Sequence, residues 1–370
     1  MITLSIDAMS GDRGLAATVP AALQVLARHD EVALILVGDA PRIERALDDA
    51  SASSLSTGNG TARARRSATR RSAKLSSRLP AQMSSRLSVV AASEVVAMDE
   101  SAAAALRKKK DSSMRVAINL VHDGRADACI SSGNTGALLA TARFVLKTIP
   151  GIDRPAICAA LPRMGGRKTY VLDLGANVDS PPRILLQFGL MGSVLINCLD
   201  GILEPSVALL NIGVEDVKGN DTIKAAAALF KRAAINYVGY IEADGIYAGD
   251  TDLVVCDGFV GNVALKATEG AAQMITSTIR EQFARNLATR AAALASKPVL
   301  DAIKARLDHR RYNGASLLGL RGSVVKSHGG ADALGFRCAI EVGIQEVRKG
   351  LVRQIESALT PPPDSATLDA

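Results

Sequence analysis

The chain of 370 residues is long enough for one large α/β domain or for two lobes. Hydrophobic residues make up 48% of it and aromatic residues only 3%, which describes a core of Ala, Val, Ile and Leu such as parallel sheets prefer. The net charge of +7 comes from residues 51–86, which contain eight basic side chains and no acidic one. The rest of the chain is close to neutral, so nucleic-acid binding has little support.

Short apolar runs alternate with helical patterns along the chain. Strands are predicted at 2–7, 32–37, 87–90, 127–131, 156–161, 169–174, 206–212, 236–241 and 252–256. Helices are predicted at 14–28, from about Pro41, and at 101–107, 112–123, 136–147, 181–197, 219–233, 261–288 and 331–357. This alternation predicts a single α/β domain over 1–370, with a mainly parallel sheet covered by helices on both faces.

Three segments depart from the alternation. Residues 51–86 are rich in Ser, Arg and Ala without an apolar period, which predicts a disordered surface insertion. Residues 270–311 are predicted to be all helical, with an apolar stripe and basic flanks that suit dimer packing or an anionic membrane surface equally well. The Pro-rich end, 358–370, is predicted to be a flexible tail.

The sequence lacks the signals of several other protein classes. Its first residues form a predicted strand rather than a signal peptide, and no apolar stretch approaches the length of a membrane span. Five scattered cysteines predict a reduced, cytoplasmic protein, and Cys129 and Cys256 fall inside predicted strands as core residues. Neither a dinucleotide-binding glycine motif, nor a P-loop, nor a His/Cys cluster occurs, so we expect no cofactor and no metal.

Five predicted strands end in turns built from Gly, Asn, Asp and Ser. These turns are Asp7–Asp12, Ser131–Gly136, Asp173–Asn177, Asn211–Asn220 and Cys256–Asn262. Small and amide-bearing residues leave main-chain N–H groups free to face a ligand. Since ligands bind at the carboxyl ends of strands in open α/β sheets, we expect one crevice, and an enzyme.

The second of these turns predicts an anion site. Ser132, Gly133, Asn134, Thr135 and Gly136 follow a strand and open a helix, where exposed N–H groups and the helix dipole favour a phosphate or an oxyanion. The alternative is a tight turn that needs glycine for its geometry alone.

The other polar residues at the strand ends have two interpretations each. The aspartates Asp7, Asp12, Asp173 and Asp257 either cap helices or orient other groups. Lys218 and Lys266 either neutralise charge at the site or are solvated. His328 is the one histidine in a Gly-rich setting, and the only one favoured for chemistry.

Several strings of the chain carry a resemblance to a known family. They are Ile6–Asp12, Ala105–Met114, Ser132–Ala137, Ile149–Pro155, Asp173–Asp179, Asn211–Asn220, Cys256–Asn262 and 312–329. Together they resemble the bacterial phosphate acyltransferases of phospholipid synthesis, the PlsX family. Two positions depart from that pattern, because Ser10 stands where the family usually has Gly and Ala91 where it often has His.

The resemblance implies reversible transfer of a long-chain acyl group from acyl carrier protein to inorganic phosphate, giving acyl phosphate. It also implies a Rossmann-like three-layer α/β/α fold related to phosphotransacetylases, and a homodimer. The acyl phosphate would pass to a membrane glycerol-3-phosphate acyltransferase, so we expect a cytoplasmic protein that associates peripherally with the membrane.

For this reaction we predict that Ser132, Asn134 and Thr135, with their main-chain N–H groups, hold phosphate. The predicted donors to the oxyanion or to phosphate are Asn177, Asn220 and Asn262. Lys218 or Lys266 would neutralise charge, and aspartates such as Asp7 and Asp257 would orient these donors rather than attack.

Two other functions and one docking patch stay open. A short-chain phosphotransacetylase that uses acyl-coenzyme A would share the fold and the phosphate chemistry. An RNA-binding protein acting through 51–86 is the non-enzymatic alternative, although that segment lacks interleaved aromatics. The run Arg107–Lys110 is either a docking patch for the acidic carrier protein or a solvated helix end.

Overall fold

The computed structural model describes residues 1–55, 79–306 and 308–359. The strands are β1 (Ile2–Asp7), β2 (Val32–Gly38), β3 (Leu87–Ala91), β4 (Ala128–Ser131), β5 (Ala156–Pro162), β6 (Lys168–Leu172), β7 (Ser206–Leu210), β8 (Asn236–Ile241), β9 (Leu253–Val255), β10 (Ala315–Leu318) and β11 (Ser323–Lys326).

The α-helices are α1 (Leu15–Leu26), α2 (Ala40–Leu55), α3 (Ala81–Ser84), α4 (Ala102–Lys108), α5 (Ser113–His122), α6 (Thr135–Leu146), α7 (Pro182–Asp200), α8 (Asp221–Phe230), α9 (Gly245–Ala248), α10 (Gly258–Ala284), α11 (Leu287–Ala295), α12 (Lys297–Arg306), α13 (Ala333–Lys349) and α14 (Leu351–Leu359). Within the stretch predicted as one domain, the chain forms two compact units. Unit 1 comprises Met1–Lys147 and Leu320–Gly350, and unit 2 comprises Thr148–Gly319 and Leu351–Ala370.

Unit 1 is built on five parallel strands in the order β3-β2-β1-β4-β11. Leu4 and Ile6 of β1 pack with α1 and with Phe336 of α13 in one core. Ser5, between them, donates its hydroxyl to the carbonyl of Ala117 in α5, at 2.8 Å. Because successive side chains of a strand point to opposite faces, unit 1 has a helix layer on each face of its sheet.

Unit 2 contains six strands in the order β10-β5-β6-β9-β7-β8. The pairs β6–β9, β9–β7 and β7–β8 are parallel, whereas β5 runs antiparallel to β6 and to β10. Tyr170 and Leu172 of β6 share a core with Phe188 of α7, and α10 also packs against β6. Both units therefore have the mainly parallel α/β architecture that the alternation predicts.

Helix α7 is the central helix of the unit 2 core. Within its 19 residues, a stretch of 18 has a mean hydropathy of 1.4 and is long and apolar enough to span a membrane, so the prediction that no apolar stretch approaches that length is wrong. About half of it, 56%, is buried inside the protein, with Phe188, Met191 and Leu195 fully buried. This burial is typical of the core helix of a globular unit.

The structure differs from the predicted insertion 51–86 at both of its ends. Helix α2 continues to Leu55, and α3 begins at Ala81. Arg86, counted among the insertion's charges, is buried and donates to the carbonyls of Leu26 and His29, at 2.9 and 2.6 Å. It thereby satisfies carbonyls at the end of α1, which the helix itself cannot pair. Residues 56–78 lie outside the described residues.

Three further differences concern the C-terminal third. Strands β10 and β11 were not among the predicted strands. The predicted helix 331–357 is two helices, α13 and α14, separated by Gly350 in a left-handed conformation at φ +68°. Of the predicted tail 358–370, the first two residues complete α14, and residues 360–370 lie outside the described residues.

The predicted helical stretch 270–311 comprises the second half of α10, α11, α12 and a short 3₁₀ helix at His309–Tyr312, with residue 307 undescribed. Large apolar side chains are exposed along it, namely Met274, Ile275, Ile279, Leu287, Leu294, Val299 and Ile303. The choice between dimer packing and membrane contact stays a prediction.

Candidate functional site

Asp7, the last residue of β1, is the buried centre of a hydroxyl network in unit 1. Its Oδ1 accepts from Ser113 Oγ at the start of α5, at 2.6 Å, and its Oδ2 from Ser131 Oγ at the end of β4, at 2.7 Å. Ser131 Oγ in turn accepts from the N–H of Gly133, at 3.1 Å. The Asp7 carboxylate therefore holds the turn after β4 in place, which is the geometry an orienting residue needs.

The turn 132–136 leads directly into α6. Asn134 is the N-cap, because its Oδ1 accepts from the N–H of Ala137 at 2.8 Å, while its Nδ2 donates to the Met98 carbonyl at 2.6 Å. Thr135 and Gly136 are exposed, and their N–H groups lie in the first helical turn, where no intrahelical carbonyl can pair them. Such N–H groups, with the dipole of a 12-residue helix, attract an anion.

The turns after β1 and β4 pack too closely for further side chains. A Cβ on Gly11, at φ +84°, would lie 2.5 Å from Ser132 Oγ, and one on Gly133 would lie 2.5 Å from Met114 Cε and 3.1 Å from Ser10 Oγ. The Ser10 hydroxyl lies in this contact, is buried, and has no hydrogen-bond partner among the described residues. Such an unpaired group is costly, which marks the Ser10 position as one where a bound polar group would be stabilised.

Lys326, which the sequence analysis did not single out, ends β11 beside the same turn. It pairs in register with Ser131 of β4, is 8% exposed, and donates from Nζ to the Ser327 carbonyl. Burial lowers the pKa of Lys326 to about 8, while the carboxylates of Asp12 and Asp7 act in the opposite direction. A buried ammonium group therefore lies close to the predicted phosphate turn.

Asp12 and His328 lie in the same part of unit 1. The N–H of Asp12 donates to the Gly329 carbonyl at 2.9 Å, and His328 Nδ1 accepts from the N–H of Gly330 at 3.1 Å. Asp7, Asp12, the turn 132–136 and His328, all predicted from the sequence, are thus neighbours. In the sequence, Lys326 is indicated only by its place in the string Lys326-Ser327-His328-Gly329, in which His328 is the predicted residue.

Asp173, directly after β6, is the buried centre of a second cluster, in unit 2. Its Oδ1 accepts from the N–H groups of Ile157 and Ala176, at 3.0 and 3.1 Å. Its Oδ2 accepts from the main-chain N–H and the Nδ2 of Asn177, at 2.7 and 2.9 Å. Burial raises the pKa of Asp173, and the four N–H donors act to lower it. The carboxylate closes the loop after β6 onto itself.

Asn177 makes several hydrogen bonds within and beside that loop. Its Nδ2 donates to the Pro155 carbonyl as well as to Asp173, both at 2.9 Å, so both amide hydrogens are engaged. The main-chain carbonyl of Asn177 accepts from the N–H of Gly258 at 2.7 Å. Asn177 therefore helps to hold this loop in place, and its catalytic role stays a prediction.

The first turn of α10 lies against the Asp173 loop. Asp257 caps this helix, because its Oδ1 accepts from the N–H of Val260 at 2.9 Å, and a Cβ on Gly261 would lie only 1.9 Å from the Asp173 carbonyl oxygen. Asn262 lies against Gly175, because a Cβ added to Gly175 would lie 3.4 Å from the Cβ of Asn262. The predicted residues Asp173, Asp257 and Asn262 are thus neighbours in unit 2.

Cys256, in the same cluster, is a core residue, as predicted. Its thiol is buried and donates to the Asp173 carbonyl at 3.5 Å, and burial together with Asp173 raises its pKa. Cys129 of β4 is also fully buried, and burial together with Asp7 raises its pKa. Neither thiol has the lowered pKa of a nucleophilic cysteine.

The remaining predicted residues lie around the start of α8 and one turn beyond Asn262 in α10. Asn220 caps α8 by accepting from the N–H of Ile223 at 2.9 Å, and Lys218 is exposed in the turn before it. Lys266 is exposed on the third turn of α10. Their catalytic roles stay predictions. Among residues 1–55, 79–306 and 308–359, no group of three His, Cys, Asp or Glu side chains is placed to hold a metal ion.

Comparison with known proteins identifies the family. A family model described as a fatty acid synthesis protein matches residues 68–354. A phosphate acyltransferase from Alkalilimnicola ehrlichii is 53% identical over 358 residues, which cover 97% of this chain and 96% of that protein. One from Legionella pneumophila strain Paris is 51% identical over 352 residues, 95% of this chain and 94% of that protein. This chain belongs to the phosphate acyltransferase family. The resemblance found in the motifs is confirmed.

Comparison with solved structures identifies the fold of this chain. A phosphotransacetylase from Streptococcus pyogenes matches with a TM-score of 0.57 at 15% identity, over 94% of both chains. A branched-chain phosphotransacylase from Enterococcus faecalis V583 matches with a TM-score of 0.53 at 14% identity, over 94% of this chain and 99% of that one. Identities this low establish the fold alone. The predicted three-layer α/β/α fold related to phosphotransacetylases is confirmed.

Proposed function

We propose that this chain reversibly transfers a long-chain fatty acyl group from acyl carrier protein to inorganic phosphate, giving acyl phosphate for phospholipid synthesis. Membership of the phosphate acyltransferase family supports phosphate as the acyl acceptor. The match to a fatty acid synthesis protein model supports a fatty acyl group on the donor.

The observation that carries the proposal is the unit 1 site around the turn 132–136. It combines unpaired N–H groups at the start of α6, the buried ammonium of Lys326, and the buried, unpartnered hydroxyl of Ser10. These are donors to an oxyanion, and much of the phosphate is dianionic near neutral pH, by analogy with phosphomonoesters, whose second pKa is about 6. A phosphate held here would satisfy the Ser10 hydroxyl and neutralise the buried lysine.

The chemical step needs no nucleophilic side chain, because phosphate itself attacks. A phosphate oxygen forms a bond to the thioester carbonyl carbon, and the resulting tetrahedral oxyanion collapses with cleavage of the C–S bond. The thiolate takes up a proton and leaves as free carrier protein. The protein must hold phosphate within about 3–3.5 Å of the carbonyl carbon and stabilise the oxyanion.

Within this proposal, the remaining donors are those predicted from the sequence. We assign oxyanion or phosphate donation to Asn177, Asn220 and Asn262, and charge neutralisation to Lys218 or Lys266. One donor to an oxyanion is typically worth about 3–4 kcal/mol, so loss of the correct one should lower turnover by about hundreds-fold.

The proposed setting follows from the fate of the product. Acyl phosphate is labile, so a cytoplasmic enzyme at the membrane surface would deliver it directly to a membrane glycerol-3-phosphate acyltransferase. The exposed apolar side chains of α10, α11 and α12 support either contact with anionic membrane or a homodimer interface.

The decisive experiment measures acyl phosphate formed from labelled phosphate with palmitoyl-carrier protein, palmitoyl-coenzyme A or acetyl-coenzyme A as the donor. We expect phosphate-dependent product with palmitoyl-carrier protein. Product from acetyl-coenzyme A alone would favour a short-chain phosphotransacetylase instead.

The same assay tests the site with Asn134→Ala. This variant should raise the KM for phosphate and lower turnover well beyond threefold. Asn286→Ala is its matched control, because Asn286 is also an asparagine N-cap, on α11, and loses a similar cap. Equal effects of both variants would attribute the loss to helix capping rather than to phosphate binding.

A further inference from the structure

Phe144, near the end of α6, is an exposed aromatic side chain with two cations close to its ring. It is 52% exposed. The Arg115 guanidinium of α5 lies 5.0 Å from its ring centroid, and the Lys147 ammonium lies 4.8 Å from it. Arg115 is also held in place by its Nε, which donates to Asn119 Oδ1 at 3.3 Å. Cation–π contacts of this kind keep an apolar side chain and two charges in one arrangement at the surface.

The three helices at this surface carry cations and no carboxylates. In unit 1, α4 and α5 both pack against α6. None of the three helices contains an Asp or a Glu, and their cations are Arg107, Lys108, Arg115 and Arg143. Directly after the helices, Lys147 follows α6, and Asp123 follows α5, where it pairs with His122. An exposed apolar side chain with cations beside it suits a partner that has acidic residues around an apolar contact.

The position of this surface relates it to the proposed phosphate site. Phe144 and Lys147 lie at the end of α6, and the turn 132–136 lies at its beginning. A helix of 12 residues is about 18 Å long, so a partner docked at its end stays near the site at its start. A carrier protein that presents its thioester on a flexible arm needs this kind of separation between the docking surface and the reaction.

We propose that the α6 surface, formed by Phe144, Arg115, Arg143 and Lys147, is where the acidic acyl carrier protein docks. This inference rests on the proposed function for the identity of the partner. It extends the basic region well beyond the run Arg107–Lys110, with Phe144 as the apolar anchor.

The test compares two charge-reversed pairs on different helices of unit 1. The first is Arg143→Glu with Lys147→Glu on the α6 surface. The control is Arg42→Glu with Arg45→Glu on α2, two exposed arginines that carry the same change of charge. The quantities measured are KM and kcat with palmitoyl-carrier protein, KM with palmitoyl-coenzyme A, and the Kd of carrier protein without its acyl group, at low and at high salt.

We expect the α6 pair to raise the KM for palmitoyl-carrier protein and the Kd of carrier protein by about tenfold or more, with kcat at saturation unchanged. The KM for palmitoyl-coenzyme A should stay at the wild-type value, because that donor has no protein surface. Salt should weaken binding to the wild type and to the α2 pair, and have little effect on the α6 pair. Phe144→Ala should weaken binding without changing its salt dependence.

Three results would overturn the inference. The first is an equal effect of the α6 and α2 pairs. The second is a change below about twofold in the KM of the α6 pair for palmitoyl-carrier protein. The third is a change of oligomeric state in the α6 pair, which would make this surface a contact between copies of the chain. A wild type that gives no acyl phosphate from palmitoyl-carrier protein would refute the proposed function. The Kd measurement would still decide the docking surface, since a wild type that does not bind carrier protein refutes it as well.

Discussion

Lys326 should set the pH dependence of phosphate use. Burial lowers its pKa from 10.5 to about 8. Raising the pH from 7 to 9 therefore reduces the charged fraction of Lys326 from about 0.9 to about 0.1. Inorganic phosphate also titrates near neutral pH, so kcat/KM is calculated on the concentration of the dianion, and the remaining change of charge lies on the protein. If the charged ammonium binds phosphate, kcat/KM for phosphate should fall about tenfold between these two pH values.

The assay is kcat/KM for phosphate across this range, in the wild type, Lys326→Arg and Lys326→Met. Because a guanidinium stays charged throughout, the Arg variant should lose the fall near pH 8, whatever its absolute rate. The Met variant should be slow and independent of pH in this range. A fall near pH 8 that persists in the Arg variant, or a wild type that shows no fall, would refute the assignment.

Stability supplies a check on Lys326 that does not depend on activity. Because its pKa is lower in the folded than in the unfolded protein, the unfolded state binds more protons between about pH 8 and 10.5. The free energy of unfolding should therefore rise with pH in that window, by up to roughly 3 kcal/mol, relative to Lys326→Met. The burial of Lys326 thus costs stability at neutral pH, as expected of a residue kept for binding.

Two further predictions concern packing. Gly261→Ala should lower the free energy of unfolding by about 1–3 kcal/mol or more and reduce activity, because its Cβ would lie 1.9 Å from the Asp173 carbonyl oxygen. Gly270→Ala in the same helix meets nothing within 4 Å and should stabilise by about 1 kcal/mol; equal urea-unfolding midpoints for the two variants would contradict the close contact of α10 with the Asp173 loop. Arg86→Met should lower the free energy of unfolding by roughly 2–3 kcal/mol, since it removes charged donors from buried carbonyls. An unfolding midpoint of Arg86→Met equal to that of the wild type would instead indicate that Arg86 is a surface residue of the insertion.

The local elements were predictable because their signals are local. Strand β1 is an apolar run that ends in a Gly-rich turn, and α6 follows an asparagine N-cap. Side chains alternate with the period of the element that buries them, so a buried strand or an amphipathic helix can be recognised without its neighbours. The five strand-end turns, and the family that they indicate, follow from the same local signals.

Strand β11 and its lysine depended on the neighbouring strands. Four residues that begin with Ser323 and end with Lys326 form a pattern that a loop could equally show. They are buried because β4 pairs alongside them and α13 packs over them. The same burial lowers the pKa of Lys326, so neither the strand nor the charge property could be derived from composition.

The amino-acid sequence by itself determined the α/β class, the order of most elements, and the turns where polar groups concentrate. Only the tertiary structure decided what those polar groups contact. Asn177 donates a hydrogen bond to Asp173, and Arg86 donates to a carbonyl at the end of α1. Asp7 accepts hydrogen bonds from two hydroxyls that belong to distant parts of unit 1. Secondary structure depends on neighbours within a few residues, whereas the partner of a buried polar group is a donor or acceptor that the fold brings from as far as 124 residues away.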